Sequence, residues 1–214
     1  MTLRSSTPTL DVEASLIEQG FSFVLGCDEV GRGPIAGPVV AGVVAWEPGI
    51  TAWPEQLKDS KLVTEKKRPQ VAEAVQECFP QHSLGVASAS EVDSDGIQVS
   101  LGRAVAHALL DLARRGVPVG SSVLLLDGSV DYVTPHLPHP LPVVTRVKAD
   151  RDCVSVAAAS VLAKVHRDRY MIERSLDYPE YGFDAHKGYG SERHFQAIRE
   201  HGLTPEHRAS WIRL

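Results

Sequence analysis

Apolar residues along the chain alternate between the two-residue period of a strand and the three-to-four-residue period of a helix. Residues 21–27 (FSFVLGC) and 39–46 (VVAGVVAW) read as strands. Only the glycine-rich stretch GRGPIAGP stands near their junction, so an antiparallel pair is expected. The pattern predicts a helix over 64–78, with Leu62, Val71, Ala74, Val75 and Cys78 as its apolar face and Thr64 as its cap. Residues 83–89 read as a third strand. A long helix follows from Gln98 to Arg115, carried by Val99, Ala106, Leu109, Leu110 and Ala113 and stopped by Gly116. The unbroken apolar run 122–126 (SVLLL) predicts a strand covered on both faces, as in a parallel sheet. Four prolines make 135–142 an extended loop, and 143–148 (VVTRVK) is a fifth strand. Residues 151–174 form the clearest helix, in which the AAAS run at 157–160 permits close packing on the sheet. A Gly/Tyr/His-rich tail and a short helix near 191–201 close the chain. This order predicts an α/β domain with a mixed sheet. The expected layout is an N-terminal segment over 1–20, the domain over 21–176 and a small helical C-terminal part over 177–214.

Composition narrows the function classes. With 214 residues, 43% of them hydrophobic, the chain can bury a core without staples. Its three cysteines are widely spaced and show no C-x-x-C, which argues against a zinc ribbon or a disulfide scaffold. The first sixteen residues hold no apolar signal-peptide core, and no apolar run reaches the ~20 residues of a membrane span. A monomeric cytoplasmic protein with no membrane partner is expected. The net charge of −5 speaks against nucleic acid until its distribution is read. Residues 1–140 hold 10 Lys+Arg against 17 Asp+Glu, whereas 141–214 hold 12 against 10 and five of the nine histidines. The C-terminal third is the candidate phosphate-facing side.

The acids fall at element ends. Asp28 and Glu29 are expected at the end of the first strand, Asp127 at the end of the buried strand, and Asp150 just before the best helix. Strand ends of α/β sheets form natural site crevices. Carboxylates gathered there repel unless a cation sits among them, and an all-oxygen set selects magnesium or manganese. A pair of such ions suits in-line displacement at phosphorus. Neighbours in a regular strand point to opposite faces, so Asp28 and Glu29 share a site only if the strand stops there. Gly31-Arg32-Gly33 makes such a departure feasible. Lys148, Lys164 and Arg167 bracket the last acid, and Lys164 and Arg167 lie three apart on one helix, so both are candidate phosphate contacts. Taken singly, each acid reads more readily as a cap or turn former, and each cation as readily as part of a solvated helix face.

Together the blocks resemble the ribonuclease HII family. C-D-E-V-G-R-G at 27–33, L-K-D-S-K at 57–61, L-L-D-G at 125–128, K-A-D-R-D-C-V-S-V-A-A-A-S-V-L-A-K-V-H-R-D at 148–168 and H-K-G-Y-G at 186–190 run in the family's order over about 21–211. The resemblance implies an RNase H-like fold, a central five-stranded mixed sheet flanked by helices. It implies an endonuclease for RNA–DNA hybrids and for duplex DNA with embedded ribonucleotides, cutting 5′ to the ribonucleotide to leave 3′-hydroxyl and 5′-phosphate ends. By matching position, Asp28, Glu29, Asp127 and Asp150 would bind the metal, while Gly31, Arg32, Gly33 and Tyr189 would read the ribose 2′-OH. Lys148, Lys164, Arg167 and Lys187 are the expected sequence-independent contacts. Ser191 stands where the family commonly has threonine, and His166 replaces a smaller polar residue. Two alternatives remain at this point: a related nuclease restricted to long hybrids, and a catalytically silent binding module.

Overall fold

The computed structural model describes residues 7–57 and 63–213. Most of the L-K-D-S-K block, and Leu62, lie outside them. Helix α1 (Asp11–Glu18) precedes the first strand. It joins the main core through Leu16. Strands β1 (Val24–Val30) and β2 (Val39–Trp46) form the predicted antiparallel pair, with Asp28 opposite Gly42. Helix α2 (Arg68–Cys78) starts later than predicted: Lys67, not Thr64, occupies its N-cap, and Pro69 fits its first turn. Strand β3 (His82–Ala87) leads into a helix absent from the sequence reading, α3 (Ala89–Asp95). A capping box between Ser88 and Glu91 starts α3. Helix α4 (Ile97–Arg114), strand β4 (Val123–Asp127) and strand β5 (Val143–Arg146) follow at the predicted places. The expected helix over 151–174 is two: α5 (Ala149–Asp152) and α6 (Val154–Asp177), parted at the extended residue Cys153. Helices α7 (Phe183–His186) and α8 (Glu192–His201) belong to the tail.

The sheet order is β3-β2-β1-β4-β5, with β4 parallel to both neighbours and the β1–β2–β3 side antiparallel. One face packs on α6 and the other on α4, which gives two hydrophobic clusters around one mixed sheet. This is the predicted α/β architecture. Helix α6 lies tight on the sheet for a readable reason. A Cβ on Gly42 would stand 2.5 Å from the Ala159 carbonyl, and one on Gly26 would strike Ser155. Glycine in the strands and alanine or serine on the helix thus meet at backbone distance. The start of α6 is held from α1: the buried Glu13 carboxylate accepts from the Ser155 N–H (2.9 Å) and hydroxyl (2.8 Å). An acid there also complements the helix dipole. A third cluster, built from Ala36, Met171, Tyr181, Phe183, Ala197 and Ile198, fastens the C-terminal part to the far half of α6.

Candidate active site

Register places the first acids. Strands β1 and β4 run parallel with Cys27 beside Leu126, so Asp28 and Asp127 are the next neighbours at one end of the sheet. Along both strands alternate side chains enter opposite clusters: Val24, Val123 and Leu125 join the α6 side, while Leu25, Cys27, Leu124 and Leu126 join the α4 side. Continuing that alternation puts Asp28 and Asp127 on the α6 face. The Ser160 hydroxyl on α6 hydrogen-bonds Asp28, in agreement. Asp150 arrives from α5, directly before α6, and its backbone N–H approaches Asp127 Oδ1 at 3.4 Å. The residue before α5, Lys148, takes a left-handed conformation (φ 65°) that turns the chain into that helix.

Strand β1 does not stop at the acids. It continues to Val30, and Glu29 still pairs with Ala41. Glu29 therefore points to the α4 face, where Oε2 accepts from the Tyr132 phenol (2.7 Å) and Oε1 from Arg32 Nη1 (2.9 Å). The structure puts Asp28 and Asp127 on one face, brings the Asp150 backbone to Asp127, and leaves Glu29 across the strand. Glu29 is still close enough to act on Asp28. Burial foremost, then Glu29, and more weakly Asp127 and Asp150, push the Asp28 carboxyl well above the usual carboxylate range, against the lowering effect of Ser160.

These donors fit a hard divalent cation in kind, since all are anionic oxygens and their mutual repulsion would be relieved by one. Among the described residues, however, no three His, Cys, Asp or Glu side chains already stand so that they could hold a metal ion.

The specificity candidates meet beside the acids. Gly31 (φ 95°) turns the chain out of β1, and a Cβ on Gly33 would lie 3.6 Å from the Tyr189 ring. Tyr189 is half exposed, at 52%. Ser191, in place of threonine, caps α8 by accepting from the His194 N–H.

The basic candidates diverge. Lys148 is exposed. Lys164 is half-buried and donates to Asp168 (2.6 Å). Lys187 is buried, with Nζ on Glu65 (3.0 Å) and the Asp184 carbonyl. Arg167 corrects the sequence reading outright. It is fully buried, and its guanidinium donates to the carbonyls of Pro38 (2.8 Å), Lys187 (2.9 Å) and Ala36 (3.0 Å). The far half of α6 is covered by the 31–38 loop and the tail, so the face carrying Arg167 and Met171 points inward rather than to solvent.

Three features went unread in the sequence. Tyr132 on Glu29 follows the proline-poor start of a loop, with no local motif to mark it. Arg208 is a second fully buried guanidinium. His194 and His207 are buried behind Tyr189, and the half-buried His186 stacks on His194 at 4.4 Å. The concentration of histidines in the tail was the only available signal for it.

Comparison with known proteins decides the family. The family model described as Ribonuclease HII matches residues 25–214. The chain belongs to the ribonuclease HII family. It is 43% identical to the Ribonuclease HII of Streptomyces avermitilis, over 97% of this chain and 84% of that one. It is 44% identical to that of Thermus thermophilus, over 92% of this chain and 89% of the relative. Among solved structures it resembles the ribonuclease H2 from Pyrococcus horikoshii, with a TM-score of 0.67, 25% identity, and coverage of 88% of this chain and 93% of the other. Membership makes the chain a nuclease of the ribonuclease H type, a hydrolase, and gives its mixed sheet the RNase H-like fold. Among the described residues no helix is long and apolar enough to cross a membrane.

Proposed function

We propose that this ribonuclease HII cuts the RNA strand of RNA–DNA hybrids, and duplex DNA on the 5′ side of single embedded ribonucleotides, by two-metal-ion hydrolysis. The products would carry 3′-hydroxyl and 5′-phosphate ends. The observation that supports this reading is the placing of Asp28 and Asp127 at the same end of the parallel β1–β4 pair, with the Asp150 N–H 3.4 Å from Asp127 Oδ1 and the Gly31–Gly33 turn leaving β1. Asp28, Asp127 and Asp150, with Glu29 from across the strand, would hold the magnesium or manganese ions. Those ions would supply activation of the attacking water and stabilise the leaving 3′-oxygen. The protein's own part is to place the ribose: N–H groups of a glycine turn approach a 2′-OH closely because no side chain intervenes, and the Tyr189 ring can pack on the adjoining sugar.

The C-terminal part, 177–214, serves substrate binding in this reading because it brings Tyr189 to the turn. Exposed Lys148 beside Asp150 suits a phosphate contact, and half-buried Lys164 a weaker one. The enzyme would work as a monomer in the cytoplasm. The test is metal-dependent cleavage by wild type, Asp127→Asn and Asp150→Asn at saturating magnesium. Each amide should lose about two orders of magnitude or more in turnover while remaining folded, because it neither carries the charge nor binds a hard cation as well. Wild-type turnover by both variants would refute the reading.

A further inference from the structure

Arg208 lies in the tail, 177 residues beyond Gly31, yet its side chain is wholly buried against the glycine turn. Nη2 donates to the Gly31 carbonyl (2.7 Å) and the Gly37 carbonyl (2.8 Å), Nη1 to the Arg32 carbonyl (3.3 Å), and Nε to Gly37 again (3.2 Å). Its guanidinium sits over the Trp211 ring at 4.8 Å. Among the described residues no carboxylate pairs with it. A buried cation spent wholly on backbone carbonyls is costly to keep, so what those carbonyls do matters.

In a planar trans peptide the C=O and the following N–H point in opposite directions. Pinning the Gly31 and Arg32 carbonyls inward therefore turns the N–H groups of Arg32 and Gly33 outward. Both residues are exposed, and among the described residues neither N–H donates to another backbone group. Successive outward N–H groups form a small concave donor for an oxygen. Only a planar fork reaches three separated carbonyls at once; an ammonium does not. The backbone reinforces the geometry: the Arg208 N–H donates to the Ile35 carbonyl (2.9 Å) and the Gly37 N–H to the Glu206 carbonyl (2.8 Å). Arg167 ties the same loop to the Tyr189 side through the Ala36 and Lys187 carbonyls.

We propose that Arg208 is a specificity-positioning residue: by fixing the Gly31 and Arg32 carbonyls inward it aims the Arg32 and Gly33 N–H groups at the substrate ribose. This rests on the reading that the glycine turn recognises the 2′-OH.

The experiment measures Kd for a duplex carrying one ribonucleotide and for the matching all-DNA duplex, in wild type and Arg208→Lys, together with Tm and the amide NMR signals of Arg32 and Gly33. In wild type the ribonucleotide duplex should bind more tightly and shift both amides, and the all-DNA duplex should not shift them. Arg208→Lys keeps the buried charge and should stay folded. It should lose about tenfold in discrimination, the worth of one or two hydrogen bonds, with all-DNA affinity nearly unchanged. If wild-type amides ignore the ribonucleotide, the underlying reading of the turn fails. If they respond in wild type and respond equally in Arg208→Lys, with discrimination intact, the role of Arg208 alone is overturned. Should Arg208→Lys unfold, Trp211→Leu provides the second variant. It removes the ring under the guanidinium and should reduce discrimination in the same sense; unchanged discrimination in a folded Trp211→Leu would count against the proposal.

Discussion

The Tyr132 phenol donates a 2.7 Å hydrogen bond to Glu29 Oε2 across 103 residues of sequence. Tyr132 is buried, and its hydroxyl is pushed far up by burial and by the nearby acids, so it remains a donor at any working pH. With Arg32 on the other oxygen, each carboxylate oxygen of Glu29 accepts one hydrogen bond, which orients the group. Tyr132→Phe should therefore lower kcat roughly tenfold with little change in KM, since the loss is in alignment and not in binding. The folding cost should be about 1 kcal/mol. A fall in Tm with kcat intact would make Tyr132 a packing residue only.

Arg167 and Lys148 should separate cleanly in binding assays. Replacing Arg167 with alanine orphans three buried carbonyl bonds, so the expected result is a loss of about 3 kcal/mol or more in stability. Lys148→Ala should leave stability nearly unchanged, weaken ribonucleotide-containing and all-DNA duplexes alike, and reduce the slope of log K against log salt by about one. Salt titrations of both variants check this. A slope change in a folded Arg167 variant equal to that in Lys148→Ala would restore the surface role expected from the sequence.

Much of the fold was legible because its signals are local. The apolar run at 122–126 declared a strand covered on both faces, and AAAS at 157–160 declared a helix lying close on the sheet. Asp127 was legible as the last residue of the buried strand and Asp150 as a residue just ahead of the long helix. What was not legible depended on distant partners. Spacing alone put Arg167 beside Lys164 on a helix face, but which face is solvent depends on the 31–38 loop folding over it. The continuation of β1 past Asp28 is set by pairing with β2, which stretches strand geometry to Val30 and sends Glu29 across the sheet. Tyr132 and Arg208 act over more than a hundred residues, so no short motif marks them. The extra helix α3 was different: its S-x-x-E capping box at Ser88–Glu91 was present in the sequence and passed unread.

The histidines under Tyr189 give the enzyme a predictable acid limit. Thr204 N–H donates to His207 Nδ1 (2.9 Å), and His194 Nδ1 donates to the Tyr189 carbonyl (2.9 Å). The 3.0 Å Nε2–Nε2 contact then needs His207 as donor and a neutral His194 as acceptor. Burial lowers the pKa of both rings and of the stacked His186, that of His194 from 6.5 to about 4. Protons thus bind the unfolded chain first. This contribution to stability is intact above pH 6.5 and is lost progressively as the pH falls toward 4. Tm of wild type should drop over that window by roughly 5 °C more than that of His194→Gln. Parallel pH profiles of the two proteins would contradict the neutral chain.

If the carboxylate site and the glycine turn act together at one ribonucleotide, as proposed, the position and chemistry of the cut reveal it. The most direct measurement maps the ends produced, in magnesium, from a DNA duplex carrying a single ribonucleotide, beside the same duplex in all-DNA form. The expected result is one cut, on the 5′ side of the ribonucleotide, with a 3′-hydroxyl and a 5′-phosphate, and no cutting of the all-DNA duplex. A cut on the 3′ side, a 2′,3′-cyclic phosphate, or equal cutting of the two duplexes would contradict it.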